Sequence, residues 1–328
     1  LDLKFLKSVM KGNYIDKLKT IQWILFYKIN LIKLKYIGDK KIISHNSLYK
    51  KKIKIAETND YIEKYIWSYW NDTDIPSEII NYVESNRKIN SNFKYIVVNE
   101  INLYEYIPDF PKDINFPSVQ HKADLIRLML LNKFGGIWID ITTILTKSLE
   151  WIIEIQQKYK IEYVGYYNPN MMISDNSMPM IENWFMASTK NSLFIQNWLN
   201  EFLNALYSQN PRQYYQKDAD FEKIRQNINT PFDRTFTMHL SAQKILHSNN
   251  AYSYYLINAE DDGLFFNYSS KNRVDYCSSL LIRNFTQLPP VIKITGGDRI
   301  KLNDFIRQKI YSKYSIFYKY GIINNRQN

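Results

Sequence analysis

The chain has 328 residues, 45% hydrophobic, 16% aromatic and 23% charged, which excludes disordered, collagen-like or low-complexity character and leaves room for a sizeable core. Its single cysteine, Cys277, excludes an intramolecular disulfide and a multi-cysteine zinc site, so a reducing cytosol is the default compartment. The net charge of +11 sits at the ends: residues 1–54 carry 14 lysines against Asp2, Asp16 and Asp39, residues 299–328 carry seven basic groups against Asp304, and residues 55–298 are mildly acidic. A nucleic-acid-binding core concentrates positive charge on its folded body. This chain does the reverse, and nucleic acid is not an expected partner.

The first 35 residues interleave Phe5, Leu6, Leu18, Ile21, Trp23, Leu25 and Phe26 with lysines, which predicts a basic amphipathic helix. Its longest uncharged run, Thr20 to Tyr27, is far below the roughly 20 residues of a membrane span, so neither a transmembrane helix nor a secretory signal is expected. Such a helix suits an anionic membrane surface, or packing on the body with its lysines solvated.

Tyr65 to Trp70 and Phe93 to Val98 are short β-branched and aromatic runs that read as buried strands, with a helix over Pro76 to Asn86 between them. That order predicts a parallel pair whose ligand lies at the strands' carboxyl ends. Trp67, Tyr69 and Trp70 either stack on a nucleotide base or fill the core.

Pro117 to Thr142 is the most informative segment. Ser118 caps a helix, Leu125, Ile126, Leu128, Met129 and Leu131 recur at helical spacing, and Gly135 ends it after about 16 residues. Asp124 and Arg127, three apart, share a face. Ile137 to Ile139 then forms a brief strand ending at Asp140, so a tight return at Gly135 and Gly136 brings all three charged groups toward one cleft. Further along, His239 reads either as a site residue or as a hydrogen-bonded structural histidine, and Glu260 and Asp261 either as metal helpers or as a solvated loop. Lys293, Gly296, Gly297 and Arg299 form either a phosphate cradle or an ordinary loop. The last stretch, 301–328, repeats the basic aromatic pattern with Phe305, Ile310 and Phe317 among Arg307, Lys309, Lys313 and Lys319.

The D-x-x-R of Asp124 to Arg127 followed by G-G-x-x-x-D of Gly135 to Asp140 resembles the signature of capsular-polysaccharide-synthesis glycosyltransferases related to glycosyltransferase family 32. Supporting segments occur in the same order: IWSYWND from Ile66, ENWFMAS from Glu182, FTMHLSAQ from Phe236, AEDDG from Ala259 and VIKITGGDR from Val291. The resemblance spans about residues 60–300 and implies an α/β fold of GT-A type, Rossmann-like, with added N- and C-terminal helices. The implied organisation is a basic helical region over 1–56, a catalytic domain over 57–300 and a basic aromatic helix over 301–328.

By the same resemblance Asp124, Arg127 and Asp140 are the catalytic residues. Trp67, Tyr69, Trp70, Gly135, Gly136, His239, Lys293 and Arg299 line the substrate. Asp140, Thr142 and Asp298 hold a divalent cation, Mn²⁺ or Mg²⁺, although Thr142 stands where a D-x-D motif has its second acid. The implied reaction is retaining transfer of a hexose from a nucleotide-diphosphate sugar, with UDP as the nucleotide, to a bacterial surface glycan. A lipid-linked acceptor would explain the basic aromatic ends, with the enzyme expected to be peripheral on the inner face of the cell membrane. Toxin-type glucosyltransferases share the same motifs, and a membrane-surface scaffold is the non-enzymatic alternative.

Overall fold

A computed structural model describes residues 58–173, 178–218, 221–229, 236–248 and 251–323, the strand at 51–54, and six helical positions between 18 and 29. Those six are Leu18, Ile21, Gln22, Leu25, Phe26 and Ile29, all exposed; the rest of the expected amino-terminal helix lies outside the described residues.

In chain order the main elements are β1 (Lys51–Lys54), β2 (Tyr65–Tyr69), α1 (Ser77–Ile89), β3 (Lys94–Val98), α2 (Val119–Phe134), β4 (Gly136–Ile139), β5 (Ile144–Leu145) and α3 (Glu150–Tyr159). There follow β6 (Tyr163–Tyr167), β7 (Ile181–Ser188), α4 (Leu193–Tyr207), α5 (Thr237–Leu246), β8 (Tyr254–Asn258), α6 (Arg273–Leu281), β9 (Val291–Ile292) and α7 (Gly296–Arg307). Seven strands form one sheet in the order β1-β8-β6-β7-β4-β2-β3, and β5 pairs with β9 in a separate ribbon. β2 runs parallel to both β3 and β4, and β6 parallel to β8, whereas β7 is antiparallel to both its neighbours and β1 is antiparallel to β8. The α/β class and the parallel β2–β3 pair are as the sequence predicts.

Both faces of the sheet are covered, which is why its strands read as continuous apolar runs. Successive side chains alternate between two cores. Trp67, Trp138 and Met186 join Leu125, Leu128, Phe194, Trp198 and Met238 of α2, α4 and α5. Ile66, Ile137, Ile139 and Phe185 face the other way, onto Ile79, Val83 and Ile152 of α1 and α3. Leu125, Ile126, Leu128, Leu130 and Leu131 of α2 are fully buried, and each such side chain contributes roughly 1.5–3 kcal/mol. α2 is thus an internal beam, with Ser118 Oγ accepting from the His121 N–H at its start and Gly135 at its end.

The carboxyl-terminal stretch differs from expectation. The expected boundary at 300 falls inside α7, and the chain breaks after Arg307 with Lys309 at φ 55°, so 301–328 is not one helix. A short helix, Ile316–Lys319, follows. Leu302, Phe305, Ile310, Ile316 and Phe317 are buried with Leu280, Leu281 and Tyr82 in a third core, and Asn81 of α1 donates to the Ile322 carbonyl at 3.0 Å. These apolar groups therefore face the body.

Candidate active site

The carboxyl ends of the parallel strands β2 and β4 open onto a cleft of about 700 Å³. Tyr69 to Asp72 line it at the end of β2, Asp140 to Thr142 after β4, and Asp124 and Arg127 from the middle of α2. Because β7 is antiparallel, its first residues meet the same edge, and Asn183 joins them. The β5–β9 ribbon pairs Ile144 with Ile292, returning the chain so that Lys293 and Ile294 complete the wall.

Arg127 is the hub. A guanidinium nitrogen lies 3.2 Å from Asp124 Oδ1 and 3.5 Å from Asp140 Oδ1, another donates to the Asn183 carbonyl, and the group sits 4.8 Å over the Trp138 ring. Arg127 and Asp124 are buried, whereas the Asp140 side chain keeps 29% exposure toward the cleft. Asn183 Nδ2 donates to Asp124 Oδ1 at 3.0 Å. Burial lifts the Asp124 carboxyl to about 6, against the pull of Arg127, His239 and the Asn183 hydrogen bond. Burial also pushes Asp140 up, but Lys293 and Arg127 beside it, with hydrogen bonds from Lys293 and the Trp138 indole, hold it below the ordinary carboxylate range. Lys293 Nζ contacts Asp140 Oδ2 directly.

Tyr69, Trp70, His239, Lys293 and Arg299 all line the cleft. The Arg299 guanidinium lies 5.5 Å over the Trp70 ring. His239 Nε2 stands 3.9 Å from Glu182 Oε2, and its Nδ1 has no hydrogen-bond partner among the described residues.

Three expected substrate residues lie elsewhere. Trp67 is 1% exposed, donates its indole N–H to the Gly135 carbonyl at 3.0 Å and packs on Tyr106 and Phe134, so it is core. Gly135 and Gly136 mark the amino end of β4, opposite the end that carries Asp140. Both have positive φ, and an added Cβ would come 2.7 Å from Lys190 N at Gly135 and 2.9 Å from Tyr65 O at Gly136. They serve the return from α2 and the close approach of neighbouring backbone.

The expected metal set does not assemble. Thr142 is buried and donates its hydroxyl to the Ile294 carbonyl at 3.0 Å. Asp298 lies in the first turn of α7, accepting from Thr295 Oγ1 at 2.6 Å and from Arg273 at 3.2 Å, and does not line the cleft. Nor do Glu260 and Asp261; Glu260 accepts from Asn170. No group of three His, Cys, Asp or Glu side chains suited to a metal ion occurs among the described residues. Because divalent cations of this kind take several oxygen ligands, this donor set does not fit one.

Asn183 was not singled out by the sequence. Its place depends on β7 running antiparallel beside β4; its segment, ENWFMAS, supports the resemblance without marking Asn183 as a site residue.

The chain is an α/β fold whose mixed sheet ends its parallel strands at a charged cleft. The chain belongs to the family described as capsular polysaccharide synthesis protein, whose profile matches residues 15–262. It is similar to the O-glycosyltransferase PaGT of Phomopsis amygdali, 27% identical over 160 residues that cover 43% of this chain and 38% of that one. Inositol phosphoceramide mannosyltransferase 3 of Schizosaccharomyces pombe is 23% identical over 193 residues, covering 56% and 49% respectively. The matched stretch is thus less than half the length of either relative. Among solved structures, the PaToxG glycosyltransferase aligns over 88% of this chain and 94% of its own, at 14% identity and a TM-score of 0.33.

Proposed function

We propose that the protein is a glycosyltransferase that moves a hexose from a nucleoside-diphosphate sugar, a UDP-sugar, to the growing glycan of a bacterial surface polysaccharide. The observation that carries this reading is the convergence of Asp124, Arg127 and Asp140 on one cleft of about 700 Å³. Family membership and the transferase names of the relatives support it. Asp124 and Arg127 bind donor-sugar hydroxyls, Tyr69 and Trp70 offer aromatic faces to the base, and Lys293 and Arg299 supply positive charge for the diphosphate.

Asp124 and Asp140 are both engaged in ion pairs, so neither is set up as a covalent nucleophile. Given the retention that the family resemblance implies, the acceptor hydroxyl then attacks from the leaving-group side. Its oxygen bonds to C1 as the bond from C1 to the β-phosphate oxygen breaks, and the departing diphosphate takes the electron pair and then the proton. Fixed charges around an oxocarbenium-like centre stabilise this passage.

Among the described residues no helix is long and apolar enough to cross a membrane. The exposed Leu18, Ile21, Leu25 and Ile29, interleaved with lysines in the sequence, support peripheral contact with an anionic membrane and a lipid-linked acceptor. The test is a panel of UDP-, GDP-, CDP- and dTDP-sugars incubated with purified protein and followed for sugar release or transfer. Turnover of a UDP-sugar that Asp124→Ala abolishes is the expected result; no turnover of any donor refutes the reading.

A further inference from the structure

We infer that the donor's diphosphate is held by side-chain cations, chiefly Lys293, without a divalent metal ion, and that Asp140 is a positioning residue for Lys293 and Arg127. The inference rests on the nucleotide-sugar reading above and concerns the same cleft.

The Asp140 carboxylate is already surrounded. Its Oδ2 meets Lys293 Nζ, and its Oδ1 lies 3.2 Å from the Trp138 indole nitrogen and 3.5 Å from Arg127. A divalent cation bound there would stand beside two fixed positive charges, with repulsion only partly screened in so buried a place. The expected partners do not answer: Thr142 is spent on the Ile294 carbonyl, and Asp298 on Thr295 and Arg273.

The cations, by contrast, are arranged for an anion. The Lys293 side chain is 11% exposed and forms its one ion pair among the described residues with Asp140. Arg299 lies over the Trp70 ring and makes no ion pair among the described residues. Both line the cleft, as does Gly296, the first residue of the 12-residue helix α7. An added Cβ at Gly296 would meet nothing within 4 Å, so the cleft reaches close to the backbone at the positive end of that helix. Two side-chain cations and a helix amino end thus face one space beside Asp140.

The two roles of Asp140 predict opposite signs. As a metal ligand, its loss weakens nucleotide binding. As a positioning anion near the phosphates, its replacement by Asn removes a repulsion, and UDP binds as tightly or more tightly while the orientation needed for transfer is lost.

The experiment is calorimetric titration of the purified full chain with UDP, in EDTA and in MnCl₂. The inference expects affinities within about twofold in the two buffers, and a loss of about tenfold or more in Lys293→Met, the scale of a charge-assisted contact. It also expects partial recovery in Lys293→Arg and no loss in Asp140→Asn, with circular dichroism showing each variant folded. Binding that needs Mn²⁺, or that Asp140→Asn weakens tenfold, overturns the inference and leaves the glycosyltransferase reading standing. Absence of UDP binding in both buffers, with turnover of no donor sugar, overturns both.

Discussion

A guanidinium nitrogen of Arg127, on α2, lies 3.5 Å from Asp140 Oδ1 at the end of β4. The pair is held across the turn at Gly135 and Gly136, so the geometry of the site depends on how the helix re-enters the sheet. Arg127 also reaches Asp124 and the Asn183 carbonyl while lying over Trp138. A planar, forked cation can satisfy these partners together, and an ammonium cannot. Arg127→Lys is therefore expected to lose transfer although charge is conserved. Arg127→Met, which leaves two buried or half-buried carboxylates without their shared partner, is expected to cost about 3–5 kcal/mol in a urea titration. Full activity in Arg127→Lys would remove the fork from the mechanism.

Asp124 gives the reaction a pH limb. Burial raises its carboxyl to about 6, so it is ionised above that value and protonated below. A protonated Asp124 no longer pairs with Arg127 as an anion. Transfer is expected to fall as pH drops through about 6, and Asp124→Asn should show a low rate without this limb. A profile that is flat from about pH 5 to about pH 8 in the native chain would contradict the assignment.

Much of this site was legible because it is local. Helix spacing, Ser118 and Gly135 give α2 its 16 residues, and a strand that begins at Gly136 must deliver Asp140 to the opposite edge. Trp67 was not legible: period-two alternation separates the faces of β2 but does not say that helices cover both, and only packing shows an aromatic there to be core. Lys293 reaches Asp140 across 153 residues of chain through the β5–β9 pairing, a register that no short motif encodes. The break after Arg307 carries neither proline nor glycine, and the helix ends because Ile310 and Phe317 turn back into the third core.

Gly135 offers a test of structure against ligand binding. Its φ of 66° and ψ of −157° lie where side-chain-bearing residues scarcely occur, and an added methyl would press on the Lys190 amide at 2.7 Å. Backbone strain alone costs about 1–3 kcal/mol, and the contact adds to it. Gly135→Ala is expected to lower the thermal midpoint by several degrees, with Kd for UDP unchanged in the fraction that remains folded. Full stability with weakened UDP binding would return Gly135 to the substrate site.

Asp262 supplies a stability prediction away from the cleft. It is fully buried, accepts from the Tyr166 hydroxyl at 2.7 Å and, at 3.4 Å, from the Val291 N–H. Burial raises its carboxyl from 3.8 to about 7, more than these hydrogen bonds and Lys147 lower it. The folded chain therefore holds this proton more tightly than the unfolded chain. The resulting stabilisation is fully present below about 4 and is lost as pH rises through about 7. Asp124 acts with the same sign over a narrower window, and His121, whose imidazole burial lowers from 6.5 to about 4, opposes them. The two carboxyls together outweigh it, so the native chain should unfold at a lower urea concentration at about pH 8 than at about pH 5. In Asp262→Asn the amide oxygen can accept from Val291 and the amide nitrogen can donate to the Tyr166 oxygen, so the packing survives without the buried charge. That variant is expected to lose less of its urea midpoint over the same range and to be the more stable of the two at the alkaline end. If its midpoint falls with pH as steeply as the native chain's, the proton lies on some other group and Asp262 is ionised in the core.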